Sequence, residues 1–262
     1  MPALLVSLAA LADLLIWRLL PPGWQEVLFL PFLVLVSWVI FSLRLDLARQ
    51  KRQVWLRQYL ACESRLQRSL QLGWLSYLFN LCISLLLALL LLLQALILPW
   101  ALALTLALSL PLVHFIQKGL NLWLLTQVKE EYRLLVSCHW LVMLLAPLLT
   151  ALLTLVFLFQ PQPWLLDISW TQAVNTHLDS SRSASFLGVL ESSLQLVVLT
   201  QHWTMQNWIG DVSRSGWVAW VAWLLMVGIQ TSLAIAFSYW LVAAHYLIKK
   251  LNLDEDKRLK AQ

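Results

Sequence analysis

Residues 74–98 read WLSYLFNLCISLLLALLLLLQALIL. The run contains no charged side chain and is dominated by leucine. About 20 apolar residues in a helix suffice to cross a hydrocarbon core of about 30 Å, and this stretch is longer than that. A soluble core helix needs one apolar stripe and a polar face; here every face is apolar. The block is therefore read as a membrane span, and Pro99 with Trp100 marks a tight corner at its end.

Similar blocks recur on both sides of it. Spans are expected over 3–20, 27–43, 74–98, 101–117, 134–159 and 217–248, separated by breaks such as Pro21-Pro22-Gly23 and Pro161/Pro163. No Lys or Arg precedes the first apolar run and no small-residue cleavage site follows it, so it is read as a retained span rather than a secretory leader. Composition agrees. Of 262 residues, 61% are hydrophobic and 12% charged, about half the usual charged share of a soluble domain of about 25%. The mean hydropathy is +0.76. The expected fold class is an all-α, polytopic transmembrane bundle of six spans, with no room for a large soluble domain.

Basic residues set the expected orientation. Of 18 Lys and Arg, only Arg18, Arg182 and Arg214 fall on one side of this topology, and the rest fall on the other. The positive-inside rule makes the crowded side cytoplasmic, with both termini there. This sorting also accounts for the net charge of +5 without invoking nucleic acid. The division is then a hairpin at 1–43, a cytoplasmic basic segment at 44–72, a second hairpin at 73–117, a connector at 118–133 and a fifth span at 134–159. An outer loop at 160–216 follows, then the sixth span at 217–248 and a charged, mobile tail at 249–262. Within the loop, 186–203 has a helical apolar period broken by polar residues, and is read as an interfacial or re-entrant helix, since a seventh span would misplace Lys249 and Lys250. The expected setting is a bacterial inner membrane. The 16 tryptophans cluster near the span ends, where indoles favour the headgroup layer. Cys62, Cys82 and Cys138 are odd in number and lack paired spacing, so free thiols are expected.

Candidate functional residues fall into three groups. Asp13 is an acid inside a span, costly and a functional candidate by default, with Gln94 and Gln230 as candidate polar neighbours for a proton or cation path. Against this stands a structural pairing of Asp13 with Arg18. The second group is the segment 44–72, which has no Gly or Pro and carries a stripe through Leu45, Ala48, Trp55, Tyr59, Cys62, Leu66 and Leu70. Its basic surface, with Arg49, Arg52, Arg57, Arg65 and Arg68 beside Trp55 and Tyr59, suits an anionic leaflet or a protein partner; simple packing within the bundle is the competing explanation. The third group is His114, His139 and His245, placed at one depth near Cys138. Metal-ligand spacing is absent, so no metal and no cofactor is expected. In the outer loop, Asp167, His177, Asp179, Glu191, His202 and Asp211 lack any diagnostic order, and no phosphate-binding loop, zinc-protease pair or nucleophile elbow occurs. No two of the seven glycines stand at GxxxG spacing, and no internal repeat appears.

From Tyr132 onward three pieces form a recognisable order: Glu131-Tyr132-Arg133 opening a Leu-rich span, Trp164 and Trp170 opening an outer loop, and Ser213-Arg214-Ser215-Gly216-Trp217 leading into the last span. In these pieces the C-terminal half resembles an uncharacterised family of bacterial inner-membrane proteins encoded beside a membrane-associated GTPase. The first half is shorter than that family suggests. The resemblance implies a membrane partner of a cytosolic GTPase and carries no catalytic residue with it. The expected partners are thus the lipid bilayer and a protein at the cytoplasmic face, with a homo-oligomer compatible and nucleic acid not expected. A non-enzymatic membrane subunit or anchor is the leading functional expectation. A small-solute or ion transporter component and a membrane enzyme acting on lipid are the alternatives.

Overall fold

The computed structural model of the chain describes residues 2–59, 73–160, 163–178, 185–208 and 216–261. Among these residues the fold is all-α, with eight helices: α1 Pro2–Leu19, α2 Pro22–Tyr59, α3 Trp74–Ile97, α4 Trp100–Gln127, α5 Glu130–Phe159, α6 Trp170–His177, α7 Phe186–Trp208 and α8 Gly216–Ala261. Five of them, α2 to α5 and α8, contain segments long and apolar enough to cross a membrane. The sixth expected span, α1, falls outside that set. Its 18 residues cover about 27 Å at helical rise, close to the thickness of a hydrocarbon core.

The outward surfaces of these helices are apolar. On α2, Val27, Leu30, Val34 and Trp38 repeat at helical spacing, and each is more than 60% exposed. Leu104, Leu108 and Phe115 do the same on α4. Water would penalise so much open apolar surface, whereas lipid solvates it. In lipid the helices hold together by close packing and polar links rather than by the hydrophobic effect. The densest packing is between α5 and α8, and α1 lies against α3, α4 and α8. Leu145, Leu149, Ala234, Phe237 and Leu241 are completely buried in this core.

Polar contacts sort the bundle into two ends. At one, Ser7 of α1 bonds His245 of α8 (2.7 Å), and Asp46 of α2 accepts bonds from Tyr246 and Lys250 of α8. At the other, the Trp17 indole donates to the Leu92 carbonyl (3.1 Å), and the Arg18 guanidinium lies 4.0 Å over the Trp100 ring. The first is called here the basic end, because Arg44, Arg49, Lys51, Arg52, Lys118, Arg133, Lys249 and Lys250 all gather towards it. Among the described residues, Arg18 is the sole basic side chain at the opposite, capped end.

Several expectations about helix length need correction. The tail after Lys250 continues α8 as helix to Ala261; after Gly228 no Gly or Pro interrupts it. On α2 the helix runs on from the span to Tyr59, as the absence of Gly and Pro permits. Its buried positions beyond the span are Leu45 and Leu56, eleven residues or three turns apart, and Leu56 was not in the expected stripe. Pro31, Pro111 and Pro147 lie inside continuous helices. Interfacial anchoring also fails for two tryptophans. Trp17 and Trp240 are buried inside the bundle, where each indole N–H reaches a backbone carbonyl, Leu92 for Trp17 and Ala10 for Trp240. Trp74, Trp100, Trp123 and Trp164 are exposed, as anchoring requires.

Candidate functional site

The capped end is built from residues 163–178 and α7. Gln206 and Asn207, adjacent on α7, grip the chain that leaves α5. The Gln206 amide donates to the Pro163 carbonyl (2.7 Å) and accepts from the Leu165 N–H (2.7 Å). The Asn207 amide donates to the Leu165 carbonyl (2.8 Å) and accepts from the Asp167 N–H (3.0 Å). Asp167 has φ 60°, a left-handed turn position that Asp tolerates better than most residues. The Trp203 indole donates to the Ile168 carbonyl (2.7 Å), and Leu165, Ala173 and Leu199 form a small separate core beneath. These bonds use side-chain amides to replace water at backbone groups that no helix or sheet satisfies.

The first residue of α7, Phe186, meets Phe29 near the start of α2, and its last turn holds Pro163 just beyond α5. Helix α7 therefore runs across the end of the bundle rather than through it. Beneath it, between α3, α4, α5 and α8, is a cavity of about 200 Å³. Gln94 and Gln230 both line it, as does His202. The Gln94 amide donates to Ser232 Oγ (2.7 Å), but its Oε1 is buried without a partner, as is Nδ1 of His202. The His202 ring stacks on Phe157 at 5.0 Å, and burial lowers its pKa. The cavity can hold water-sized polar molecules bonded to these two atoms.

Asp13 is not part of it. It lies on the exposed face of α1 with Leu8, Ala9, Ala12 and Ile16, away from Gln94 and Gln230. Among the described residues it has no ion pair with Arg18, whose guanidinium faces Trp100. The loop acids and histidines do not converge either: Asp179 and Asp211 lie outside the described residues, Glu191 bonds Gln195 on its own helix, and His177 ends α6.

At the basic end, α2, α4, α5 and α8 enclose charged groups of two kinds. Asp46 is a hub: its Oδ2 accepts from Tyr246 Oη and Lys250 Nζ, both at 2.7 Å, and Arg49 stands 3.7 Å from its other oxygen. Asp46 was not among the candidate residues read from the sequence; Arg49, three residues on along the same helix, was the available signal. The other charges border a second, larger cavity between α4, α5 and α8, which His114 and His245 both line. His139 does not line it, and among the described residues no three His, Cys, Asp or Glu side chains form a metal-binding group. Of the expected interaction surface, Arg49 is exposed and Arg52 half-buried on α2. Trp55, Arg57 and Tyr59 belong to its last two turns, and Arg65 and Arg68 lie outside the described residues.

Compared with known proteins, the chain matches no family model, no curated protein sequence and no solved structure.

Proposed function

We propose that this chain is a non-enzymatic membrane subunit, an anchor in a bacterial inner membrane whose basic end faces the cytoplasm and docks a cytosolic partner. In this topology α1 is a sixth crossing and both termini are cytoplasmic. The observation that carries the proposal is the extension of two helices at one end. Helix α2 has 38 residues and α8 has 46, about 57 and 69 Å, against a core of about 30 Å. The Asp46 hub ties the two where they leave the apolar layer, and the α2 extension beyond it is basic, with Arg49, Lys51, Arg52 and Arg57. The sorting of basic residues supports its cytoplasmic side. The resemblance of the C-terminal half to membrane partners of a GTPase makes a GTPase the partner to test first.

The position of Asp13 supports a subunit as well. A carboxylate facing hydrocarbon is costly. A helix of another subunit that brings a hydrogen-bond donor to the Ala9–Ala12 side of α1 removes that cost and packs closely on the small residues.

A photo-crosslinking amino acid at Gln53, exposed on the α2 extension, is expected to capture a cytosolic protein in intact cells, and the adduct to bind guanine nucleotide. The same probe at Trp164, exposed at the capped end, is expected to capture none. Recovery of the Gln53 variant without adducts counts against the proposal. The second reading, a component of a small-solute or ion transporter, is favoured by the cavity in which Gln94 and Gln230 meet. Solute flux in proteoliposomes that Gln94→Leu abolishes would turn the assignment that way.

A further inference from the structure

The cavity at the basic end measures about 830 Å³ and lies between α4, α5 and the last turns of the apolar part of α8, with Val6 of α1 at its edge. Its lining is divided. One part is cationic and polar: Lys118, Arg133 and Lys249, with Gln117, Asn121 and Asn252. The other is apolar: Leu122, Leu125, Leu134 and Ile248. Glu130 is the sole carboxylate in the lining, so three cations face one anion and two positive charges are unmatched.

The neighbouring charges show what matched cations look like in this protein. Lys250, one residue past Lys249, donates to Asp46 at 2.7 Å, and Arg49 stands beside the same carboxylate. Among the described residues no such partner serves Lys118, Arg133 or Lys249. Nε of Arg133 is buried without a hydrogen-bond partner, and so is Nδ1 of His114. Polar atoms kept from water and left unpaired cost free energy unless something else fills the site.

A small inorganic anion would meet the charges but waste the apolar wall. On the membrane side of these charges the wall is apolar: Leu134 follows Arg133 into α5, and Ile248, 42% exposed, precedes Lys249 on α8. An amphiphile with an anionic head and hydrocarbon chains matches both parts. We propose that the cavity seats the phosphate-bearing headgroup of an anionic phospholipid from the adjacent leaflet. Its phosphate oxygens accept from Lys118, Arg133 and Lys249, and its chains run past Ile248 towards the apolar layer. The site requires that this end reach a leaflet surface and does not depend on any cytosolic partner.

The test uses the full chain in phosphatidylcholine nanodiscs doped with phosphatidylglycerol. Retained lipid is read by native mass spectrometry after release into neutral detergent. Phosphatidylglycerol is expected to be retained over phosphatidylcholine. Lys118→Gln, Arg133→Gln and Lys249→Gln are each expected to weaken retention about fivefold, the effect of one interfacial cation. Arg18→Gln, at the capped end, is expected to leave it unchanged. Glu130→Gln removes the opposing carboxylate and is expected to strengthen retention, which keeps the test sharp if a basic-residue variant does not fold. Equal retention of the two lipids overturns the proposal, as do unchanged retention in all three Gln variants and displacement of the lipid by millimolar inorganic phosphate. A failed crosslink at Gln53 with selective phosphatidylglycerol retention separates this site from the docking function.

Discussion

The two ends of this bundle use polar side chains in opposite ways. At the capped end, Gln206, Asn207 and Trp203 turn inward and satisfy the backbone of the segment that leaves α5. At the basic end, Asp46 satisfies Lys250 and Tyr246, while Lys118, Arg133 and Lys249 surround a large cavity with their charge unmatched. The cap directs most of its polar side chains to its own backbone and leaves Gln94 Oε1 and His202 Nδ1 over a small cavity, while the basic end rings a larger one with excess positive charge. The lesson is that charge count alone does not locate a binding surface; what matters is which charges the fold leaves without partners.

The comparison can be broken or sharpened by substitution. The largest effect is expected where α1 packs into the shared core near the capped end. Trp17→Ala removes a fully buried indole and its bond to Leu92, and should cost about 3–5 kcal/mol in thermal unfolding in detergent. An unchanged transition would mean that α1 is not integral to the core.

Smaller and local effects follow. Asn207→Ala deprives two backbone groups of partners and should cost about 1–3 kcal/mol. Hydrogen exchange should quicken over 163–178 and leave the basic end unaltered. Asp46→Asn should cost about 1–2 kcal/mol, because its partners are partly exposed. Exchange should quicken around Lys250 while the cap stays protected. If either substitution loosens both ends, the ends are not separate units.

The smallest effect is a pH response at the cap. Burial lowers the pKa of His202 relative to the unfolded chain, so the unfolded state takes up a proton first. Stability should be full above about pH 6.5, fall as the pH drops below that unfolded value, and level off below the folded one. His202→Gln should flatten this dependence in thermal melts between pH 7.5 and 5. A pH response equally strong without the imidazole would assign it to another group.

Much of the fold was legible in the sequence because membrane spans depend on composition over long windows, which a single sequence shows directly. The blocks over 74–98 and 134–159 emerge as helices at nearly those bounds. Where the reading failed, facing was the reason. Periodicity did not show that Trp17 and Trp240 point into the core, because an indole near a span end reads as an anchor whichever way it turns. Nor did it show that Asp13 points out of the bundle while Gln94 and Gln230 meet inside it. Helix α1 contains apolar residues on all sides, so hydropathy assigns it no inward face. The amide grip of Gln206 and Asn207 joins residues about forty positions apart, and such pairing leaves no local pattern.

The central claim is that the basic and capped ends lie on opposite sides of the membrane, with the basic end in the cytoplasm. In a chain whose three native cysteines are replaced by serine, single cysteines at Lys129 and at Trp164, both exposed, can be labelled in intact cells with an outer membrane permeabilised to a charged maleimide. The account expects Trp164→Cys to be labelled at once and Lys129→Cys only after the inner membrane is broken. Prompt labelling of both, or of Lys129→Cys alone, would contradict it.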